Sequence, residues 1–228
     1  MADMDKDGDM DFLAGNMGTN SQLKASVREP LGLLVNDWDK NGSIDPLLIY
    51  YRNGKQWLFN GLDELKKQMP RVGNRYNNYS LFAGHTLDKV FSKKDLEAIT
   101  IRQAVTLQSV AVINNGDAGY KMQALPFEMQ LAPIHAILVD DFNLDGSADI
   151  ISAGNAMGNT PSSGNDDASY GNFHRGNGAW NFSTENPESS GFAIKGEVND
   201  IKSIEVGGKI WLLAGKNDGK LAVFATGL

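Results

Sequence analysis

Three short acidic segments carry the residues of this chain that could do chemistry. They begin at Asp3, Asp37 and Asp141, and each follows the pattern Asp-x-Asp/Asn-x-Asp/Asn-Gly-x-x-Asp. Oxygens at positions 1, 3 and 5 can turn towards one centre, glycine at position 6 permits a sharp turn, and the carbonyl of position 7 adds another oxygen. Such a shell of hard oxygen ligands is typical of a Ca²⁺ site, and the number of ligands favours Ca²⁺ over the smaller Mg²⁺.

The three segments share one set of predicted ligand positions. Side chains at positions 1, 3, 5 and 9, with the residue at position 7, would surround up to three Ca²⁺ ions, one in each segment. The candidate metal-binding residues are Asp3, Asp5, Asp7, Asp9, Asp11, Asp37, Asp39, Asn41, Ser43, Asp45, Asp141, Asn143, Asp145, Ser147 and Asp149. The alternative is a set of Gly/Asp turns that only resemble metal sites, and the common register of three copies argues against it.

The flanking residues distinguish these segments from an EF-hand. An EF-hand needs a bidentate Glu at position 12 and flanking helices, but position 12 is occupied here by Ala14, Leu48 and Ser152. Short apolar runs such as 137–139 before the third segment and 150–154 after it are typical of strands. The predicted unit is therefore strand, calcium loop, strand.

This unit resembles a known repeat. Strand, DxDxDGxxD loop, strand and a Gly-Asn pair, at Gly15-Asn16 and Gly154-Asn155, are similar to the FG-GAP/VCBS repeats of integrin-α-like β-propellers. Segments 35–48, 125–142 and 167–171 also resemble the C-terminal part of large Bacteroidetes-type VCBS-repeat proteins, which often carry an ASPIC/UnbV domain. The resemblance covers most of the chain. It implies a calcium-binding propeller that is exported to the bacterial cell surface, and it says little about the ligand.

The predicted fold class is therefore all-β, a partial β-propeller with blades of four antiparallel strands, calcium loops between strands, and a small helical insertion. We expect one domain over 1–228, with about four blade units. The insertion is predicted at 61–99, because residues 62–69 and 79–99 have helical spacing and Ser92-Lys93-Lys94-Asp95 resembles a capping box.

Strand predictions complete the blades. The first unit should have strands at 10–15 and near 22–26, and the second blade should continue after the insertion with strands at 105–113 and 120–125. Asn53-Gly54, between two apolar runs, predicts a tight hairpin. The third and fourth units have further strand-like runs, and in the degenerate fourth unit a Gly207-Gly208 turn replaces the calcium loop.

Composition narrows the class of protein. With 41% hydrophobic and 21% charged residues the chain is globular, and a formal net charge of −7 argues against a nucleic-acid partner. The absence of cysteine excludes disulfides and zinc–thiolate sites, and no apolar run is long enough to span a membrane. Because Met1 leads directly into an acidic segment, we expect a fragment, without the export signal, of a longer protein that is extracellular or associated with the outer membrane.

No catalytic constellation is evident. His85, His135 and His174 are far apart, and none belongs to a recognised zinc or nucleophile motif. The favoured function is a non-enzymatic module that binds protein or glycan at the cell surface. Candidates for sugar stacking or protein contact are the aromatic side chains Trp57, Tyr76, Tyr79, Phe82, Tyr170 and Trp180. The alternative for most of them is packing in the core or between blades.

The alternative function is a calcium-dependent polysaccharide lyase or hydrolase on a propeller scaffold. Such an enzyme would need a Tyr/His/Arg cluster beside a Ca²⁺ that binds carboxylates. Tyr170, His174 and Arg175 form the only such local cluster in the sequence, and a blade strand would explain it equally well.

Overall fold

Strands dominate the computed structural model, which describes residues 1–97, 99–158 and 164–225. The strands of the described residues are β1 (Phe12–Ala14), β2 (Leu31–Asn36), β3 (Asp45–Arg52), β4 (Lys55–Leu58), β5 (Thr100–Ala104), β6 (Val110–Asn114), β7 (Tyr120–Ala124), β8 (Ile134–Asp140), β9 (Asp149–Gly154), β10 (Asn172–Gly176), β11 (Phe182–Glu185), β12 (Val198–Val206), β13 (Lys209–Lys216) and β14 (Ala222–Ala225). The helices are α1 (Leu62–Gln68), α2 (Pro70–Arg75), α3 (Tyr79–Phe82), α4 (Leu87–Val90), α5 (Lys93–Glu97) and α6 (Pro187–Ser190). No helix in these ranges is both long and apolar enough to cross a membrane.

The chain divides into two compact units. Unit 1 comprises Met1–Ser21 and Gln108–Leu228, and unit 2 comprises Gln22–Leu107. Within the described residues the strands form four antiparallel sheets, and no barrel closes among them. Three sheets belong to unit 1: sheet A (β1-β6-β7), sheet B (β8-β9-β10-β11) and sheet C (β12-β13-β14). The fourth, sheet D, has the order β4-β3-β2-β5 and belongs to unit 2.

Sheet B is the centre of unit 1. Its strand β9 is buried along its whole length, as expected for an inner strand covered on both faces. On one side Ile150 joins a cluster with Ala111 and Ile113 of sheet A. On the other side Ile151 joins a cluster with Leu212 of sheet C. Alternating side chains of one strand thus serve two separate apolar layers.

Sheet A corrects the predicted order of the blades. The strands expected at 105–113 and 120–125 are β6 and β7, but β6 pairs with β1, in the register Phe12↔Val112, and not with the second unit. The whole of unit 2 is therefore inserted into the chain between neighbouring strands of sheet A. The predicted short strand near 22–26 is wrong, because those residues form no strand. Apolar alternation marks a strand and its buried face, but it does not specify the partner strand.

Unit 2 combines sheet D with the helices α1–α5. In sequence the helices lie between β4 and β5, and both strands belong to sheet D. Strand β5 was not predicted, because it is polar and exposed along most of its length. The core of the unit packs Leu34 and Leu47 of the sheet against Leu62 and Leu65 of α1. Helix α1 ends at Gln68, and Pro70 occupies the first turn of α2, where its missing N–H costs nothing.

Several local predictions are confirmed. The hairpin between β3 and β4 turns at Asn53 and Gly54, with φ of 54° and 70°, and both residues of the Gly207-Gly208 turn also have positive φ. This is the backbone of a tight turn that suits twisted strands. The predicted capping box is present, since the Ser92 N–H donates to the Asp95 carboxylate at 3.0 Å and the Asp95 N–H donates back to the Ser92 hydroxyl at 3.3 Å.

The Gly-Asn pairs have a common structural role. A Cβ on Gly15 would lie 2.2 Å from the Ile134 carbonyl oxygen, and one on Gly154 would lie 1.9 Å from the Pro133 carbonyl oxygen. No residue with a side chain fits at either position without a shift of the backbone. The following Asn155 is buried and donates from its amide to the Ser169 carbonyl at 2.8 Å. The pair therefore allows two backbone segments to approach closely at the end of a strand.

Candidate metal-binding loops

The three acidic segments have one backbone conformation. We name them loop 1 (residues 3–11), loop 2 (37–45) and loop 3 (141–149). Position 4 is left-handed in each, with φ of 62°, 62° and 57°, and so is the glycine at position 6, with φ of 97°, 90° and 87°. A non-glycine residue at positive φ is uncommon, so its recurrence at position 4 indicates a defined turn that is repeated three times.

The same hydrogen bonds recur in each loop. The carboxylate at position 1 accepts from the N–H of position 6, at 3.1, 2.8 and 2.8 Å in loops 1, 2 and 3. The carboxylate at position 9 accepts from the N–H of position 2, at 3.0, 3.1 and 3.2 Å. The side-chain oxygen at position 5 accepts from the N–H of position 7, at 2.9, 2.8 and 2.8 Å. These bonds turn the oxygen-bearing side chains inward, which is the requirement for a shared cation.

In every loop the exposure of the ligand side chains increases from position 9, through positions 1 and 3, to position 5. The position 9 residues Asp11, Asp45 and Asp149 are only 0, 5 and 0% exposed. The residues at positions 1 and 3 are half-buried, and those at position 5 are exposed. Each loop is therefore a shallow cup with a buried acid at its base and an entrance on the solvent side.

Carboxylate oxygens converge in two of the loops. One oxygen from each of Asp3, Asp5 and Asp11 lies within 4.8 Å of the others, and the corresponding acids of loop 2 converge in the same way. In loop 3 an amide, Asn143, stands at position 3 and donates to the Asp145 carboxylate at 2.8 Å. Loop 3 thus offers one negative charge fewer than loop 1 at the positions closest to its centre.

Loop 1 also contains two carboxylate oxygens that lack a partner. Oδ1 of Asp3 and Oδ1 of Asp5 are buried, and neither has a hydrogen-bond partner among the described residues. A buried polar atom without a partner costs roughly 1–3 kcal/mol, and more when it is charged. A cation held by these oxygens would remove that cost, so the residues of loop 1 fit a Ca²⁺ ion.

The electrostatics of loop 3 also suit a bound cation. Burial raises the pKa of Asp149 above its ordinary value, and the nearby charges of Asp145 and Asp141 act in the same sense. The pKa of Asp145 is lowered instead, chiefly by the hydrogen bond from the Ser147 backbone. A divalent cation among these groups would favour the ionised form of all three carboxyl groups.

Two supports of the loops come from strands distant in sequence, and the sequence alone does not reveal them. The second oxygen of Asp11 accepts from the N–H of Asn114, at the end of β6, at 2.9 Å. The second oxygen of Asp149 accepts from the N–H of Gly176, at the end of β10, also at 2.9 Å. In each sheet the strand that pairs with the one after the loop thus fixes the buried acid at the base of the loop. The donors are backbone groups, so no side-chain motif identifies them.

The Tyr/His/Arg cluster considered for an enzyme does not converge in the structure. His174 is fully buried, and its Nδ1 lies 3.0 Å from the Thr184 hydroxyl. Arg175, next along β10, points to the opposite face and pairs with Glu185 at 2.9 Å. Tyr170 is exposed and lies beneath the Lys195 ammonium group. Burial lowers the pKa of His174 to about 4, so this imidazole is a neutral residue of the core.

The aromatic candidates for ligand contact separate by burial. Tyr76 is buried in unit 2, where its hydroxyl lies 3.0 Å from Nδ1 of His85, while Trp57 and Phe82 are half-buried. Tyr79 and Tyr170 are more than half exposed, and they stay available to a ligand. Trp180 has a different environment, since its indole N–H donates to the Asp5 carboxylate of loop 1 at 2.9 Å.

Comparison of the chain with family models, curated proteins and solved structures gives no match. The resemblance to FG-GAP/VCBS repeats therefore rests on the loop residues, the flanking strands and the Gly-Asn pairs of this chain.

Proposed function

We propose that this chain is a calcium-stabilised binding module, and that each of its three loops holds one Ca²⁺ ion. The observation that carries the proposal is the unpartnered, buried pair of oxygens on Asp3 and Asp5, in a loop whose backbone recurs in two other places. Oxygen ligands in a flexible loop are those that Ca²⁺ selects. The ion would bring the acids of each loop together and so stabilise the strands on either side.

The module would belong to the FG-GAP/VCBS class of β-propellers, as the sequence resemblance implies. Sheet B supports this assignment, because its four strands follow one another in order and loop 3 joins the first two, which is the arrangement of a propeller blade. Sheet A supports it as well. Loop 1 precedes β1, and an isolated antiparallel bridge between Ala2 and Asp11 joins the two ends of the loop.

The proposed role is recognition of a protein or glycan at the bacterial cell surface, after export. Exposed aromatic residues such as Tyr79 and Tyr170 are suitable for stacking on a sugar or for contact with a protein. The burial of His174 and its bond to Thr184 argue against the alternative of a calcium-dependent lyase or hydrolase, because this imidazole is not accessible to a polysaccharide.

Thermal unfolding with and without calcium tests the proposal. A site that is loaded to about 100 times its Kd stabilises a fold by about 2.7 kcal/mol, which corresponds to a rise in Tm of roughly 5 °C or more for a domain of this size. We expect that rise in millimolar Ca²⁺ relative to EDTA, and a much smaller one in Mg²⁺.

Asp141→Ala provides the matching variant, because it removes the position 1 ligand of loop 3. It should lose part of the calcium-induced rise in Tm. Asp200→Ala changes an exposed acid in a surface ion pair outside the loops, and it should retain the full rise. Equal melting of the native chain in Ca²⁺ and in EDTA would refute calcium stabilisation.

A further inference from the structure

Trp180 is held in an uncommon conformation beside loop 1. It lies in the turn between β10 and β11 and has a φ of 58°. A non-glycine residue in this region is strained and persists only where its surroundings impose it. Its indole N–H donates to Oδ2 of Asp5, 175 positions away in the sequence, at 2.9 Å.

Two hydrogen bonds hold the backbone of this turn, and one ring contact touches the indole itself. The Gln123 side chain donates to the Trp180 carbonyl at 3.3 Å, and the Asn177 N–H donates to the Asn181 carbonyl across the turn at 3.2 Å. The ring of Phe182 meets the indole edge-on, with 6.4 Å between ring centroids. The turn between β10 and β11, together with Gln123 of β7, therefore holds the residue whose indole reaches loop 1.

The other end of the same turn is attached to loop 3. Gly176, at the end of β10, donates its N–H to the buried Asp149 at 2.9 Å. Ser147 lies against the turn, since its hydroxyl oxygen is 3.8 Å from where a Cβ on Gly178 would be. Residues 177–181 therefore contact loop 3 at one end and loop 1 at the other.

Lys6 of loop 1 also lies directly beside loop 3. The ammonium nitrogen of Lys6, at position 4 of loop 1, lies 3.7 Å from where a Cβ on Gly146 would be. Gly146 is position 6 of loop 3, and its N–H binds Asp141. Loops 1 and 3 are thus neighbours on one side of unit 1.

We propose that Trp180 is a positioning residue that couples loops 1 and 3, a role that rests on the calcium binding proposed above. By holding Oδ2 of Asp5, the indole turns the unpartnered Oδ1 towards the ion in loop 1. Calcium in loop 3 would fix Asp149 and Ser147, order the turn and so place the indole. The two sites then bind calcium cooperatively, since each ion prepares the environment of the other.

Calorimetric titration of calcium into Trp180→Phe tests the positioning role. Phenylalanine keeps an aromatic ring but removes the N–H donor, and loss of a bond that orients a ligand typically weakens metal binding by 10–100-fold. We expect one class of sites to become about tenfold weaker. Trp211→Phe is the matched control, because Trp211 lies on β13 of sheet C, and it should bind calcium like the native chain.

Melting curves separate positioning from simple packing. If Trp180 acts on the site, Trp180→Phe reduces the rise in Tm that calcium causes and changes the melt in EDTA little. An equal fall in Tm in EDTA and in calcium would mean that the residue serves packing alone, and it would overturn the proposal. If Trp180→Phe does not fold, Gln123→Met removes the bond to the Trp180 carbonyl and keeps the indole, and it should likewise reduce the calcium-induced rise in Tm.

The coupling has its own test, with the calcium-dependent emission of Trp180 as the signal of loop 1. That signal is isolated in a background in which the other three tryptophans, Trp38, Trp57 and Trp211, are replaced by phenylalanine. Asp141→Ala should weaken calcium binding at loop 1 by about fivefold or more. Asp37→Ala changes the same motif position in loop 2, which belongs to unit 2, and it should leave the affinity of loop 1 unchanged.

The possible failures are distinguishable. A native chain that binds no calcium overturns the proposed function and the coupling together. A native chain that binds calcium with the same affinities after Trp180→Phe overturns only the role of Trp180. Equal loss of loop 1 affinity in Asp141→Ala and Asp37→Ala would overturn the coupling between loops 1 and 3.

Discussion

Loops 1 and 2 have the same turn but different supports. In loop 2 the bond to the base of the loop is local, because the indole N–H of Trp38, at position 2, donates to the Asp45 carbonyl at 2.9 Å. In loop 1 the supports are Asn114 and Trp180, more than 100 positions away in sequence. Each loop is thus held by a tryptophan. Loop 2 uses its own Trp38, and loop 1 uses Trp180 from the distant turn between β10 and β11.

The nine residues of the motif therefore specify the backbone of the loop, while the neighbouring strands determine which donors bind the acid at its base. Strand β4 pairs only with residues 49–52 of β3, so it ends before it reaches Asp45, whereas β6 and β10 extend to Asp11 and Asp149. The hydrogen bonds at the base of loop 2 should therefore depend on the loop's own residues, with the Trp38 ring packed on Phe91 of unit 2. Those of loops 1 and 3 should depend on donors from other strands of unit 1.

Acidification should give the largest difference in stability between unit 1, which carries loops 1 and 3, and unit 2, which carries loop 2. The group responsible is His174 of unit 1. Its pKa falls from 6.5 to about 4 on burial, so the folded state binds fewer protons than the unfolded state between these values. Stability is fully present above pH 6.5 and is lost as the pH falls towards 4. The loss is about 3 kcal/mol in the unfolding free energy of unit 1, from the size of the shift.

Denaturant unfolding of the calcium-free protein at several pH values measures this loss. His174→Phe should abolish the part that belongs to the imidazole, while His135→Gln, which changes an exposed histidine, should retain it. The same pH dependence in His174→Phe as in the native chain would contradict the assignment. Because β10 carries both His174 and Gly176, acid should loosen the support of loop 3 before that of loop 2.

A smaller effect is expected from Trp38→Phe. This change removes the indole donor to the Asp45 carbonyl in loop 2, and a hydrogen bond of this kind contributes about 1 kcal/mol. Calorimetry should show weaker calcium binding at loop 2 and unchanged binding at loops 1 and 3. The opposite pattern, with loops 1 and 3 affected, would break the distinction between local and distant support.

Local features of the fold could be predicted from sequence, and long-range ones could not. The Asp/Asn/Gly register of the loops, the turns at Asn53-Gly54 and Gly207-Gly208, and the Ser92–Asp95 box are encoded within a few residues, and the structure contains each of them as a turn or cap. The pairing of β6 with β1 depends on which faces pack in unit 1. That information lies in tertiary contacts and not in the alternation of either strand.

The candidate sites show the same limit. The sequence indicates which side chains carry oxygens, but the Asn114 and Gly176 donors are backbone groups of remote strands. The sequence marked Trp180 as an aromatic candidate for ligand contact or packing. Its bond to Asp5 forms because the turn between β10 and β11 of sheet B lies beside loop 1. A residue type alone does not predict such a contact.

The number of calcium ions that the native chain binds at saturation tests the three metal sites most directly, and calorimetry in metal-free buffer measures it. We expect three ions per chain, and only background uptake by a variant in which Asp3, Asp37 and Asp141 are all replaced by Ala. Equal calcium uptake by the native chain and this triple variant would contradict the central claim that the three loops are metal sites.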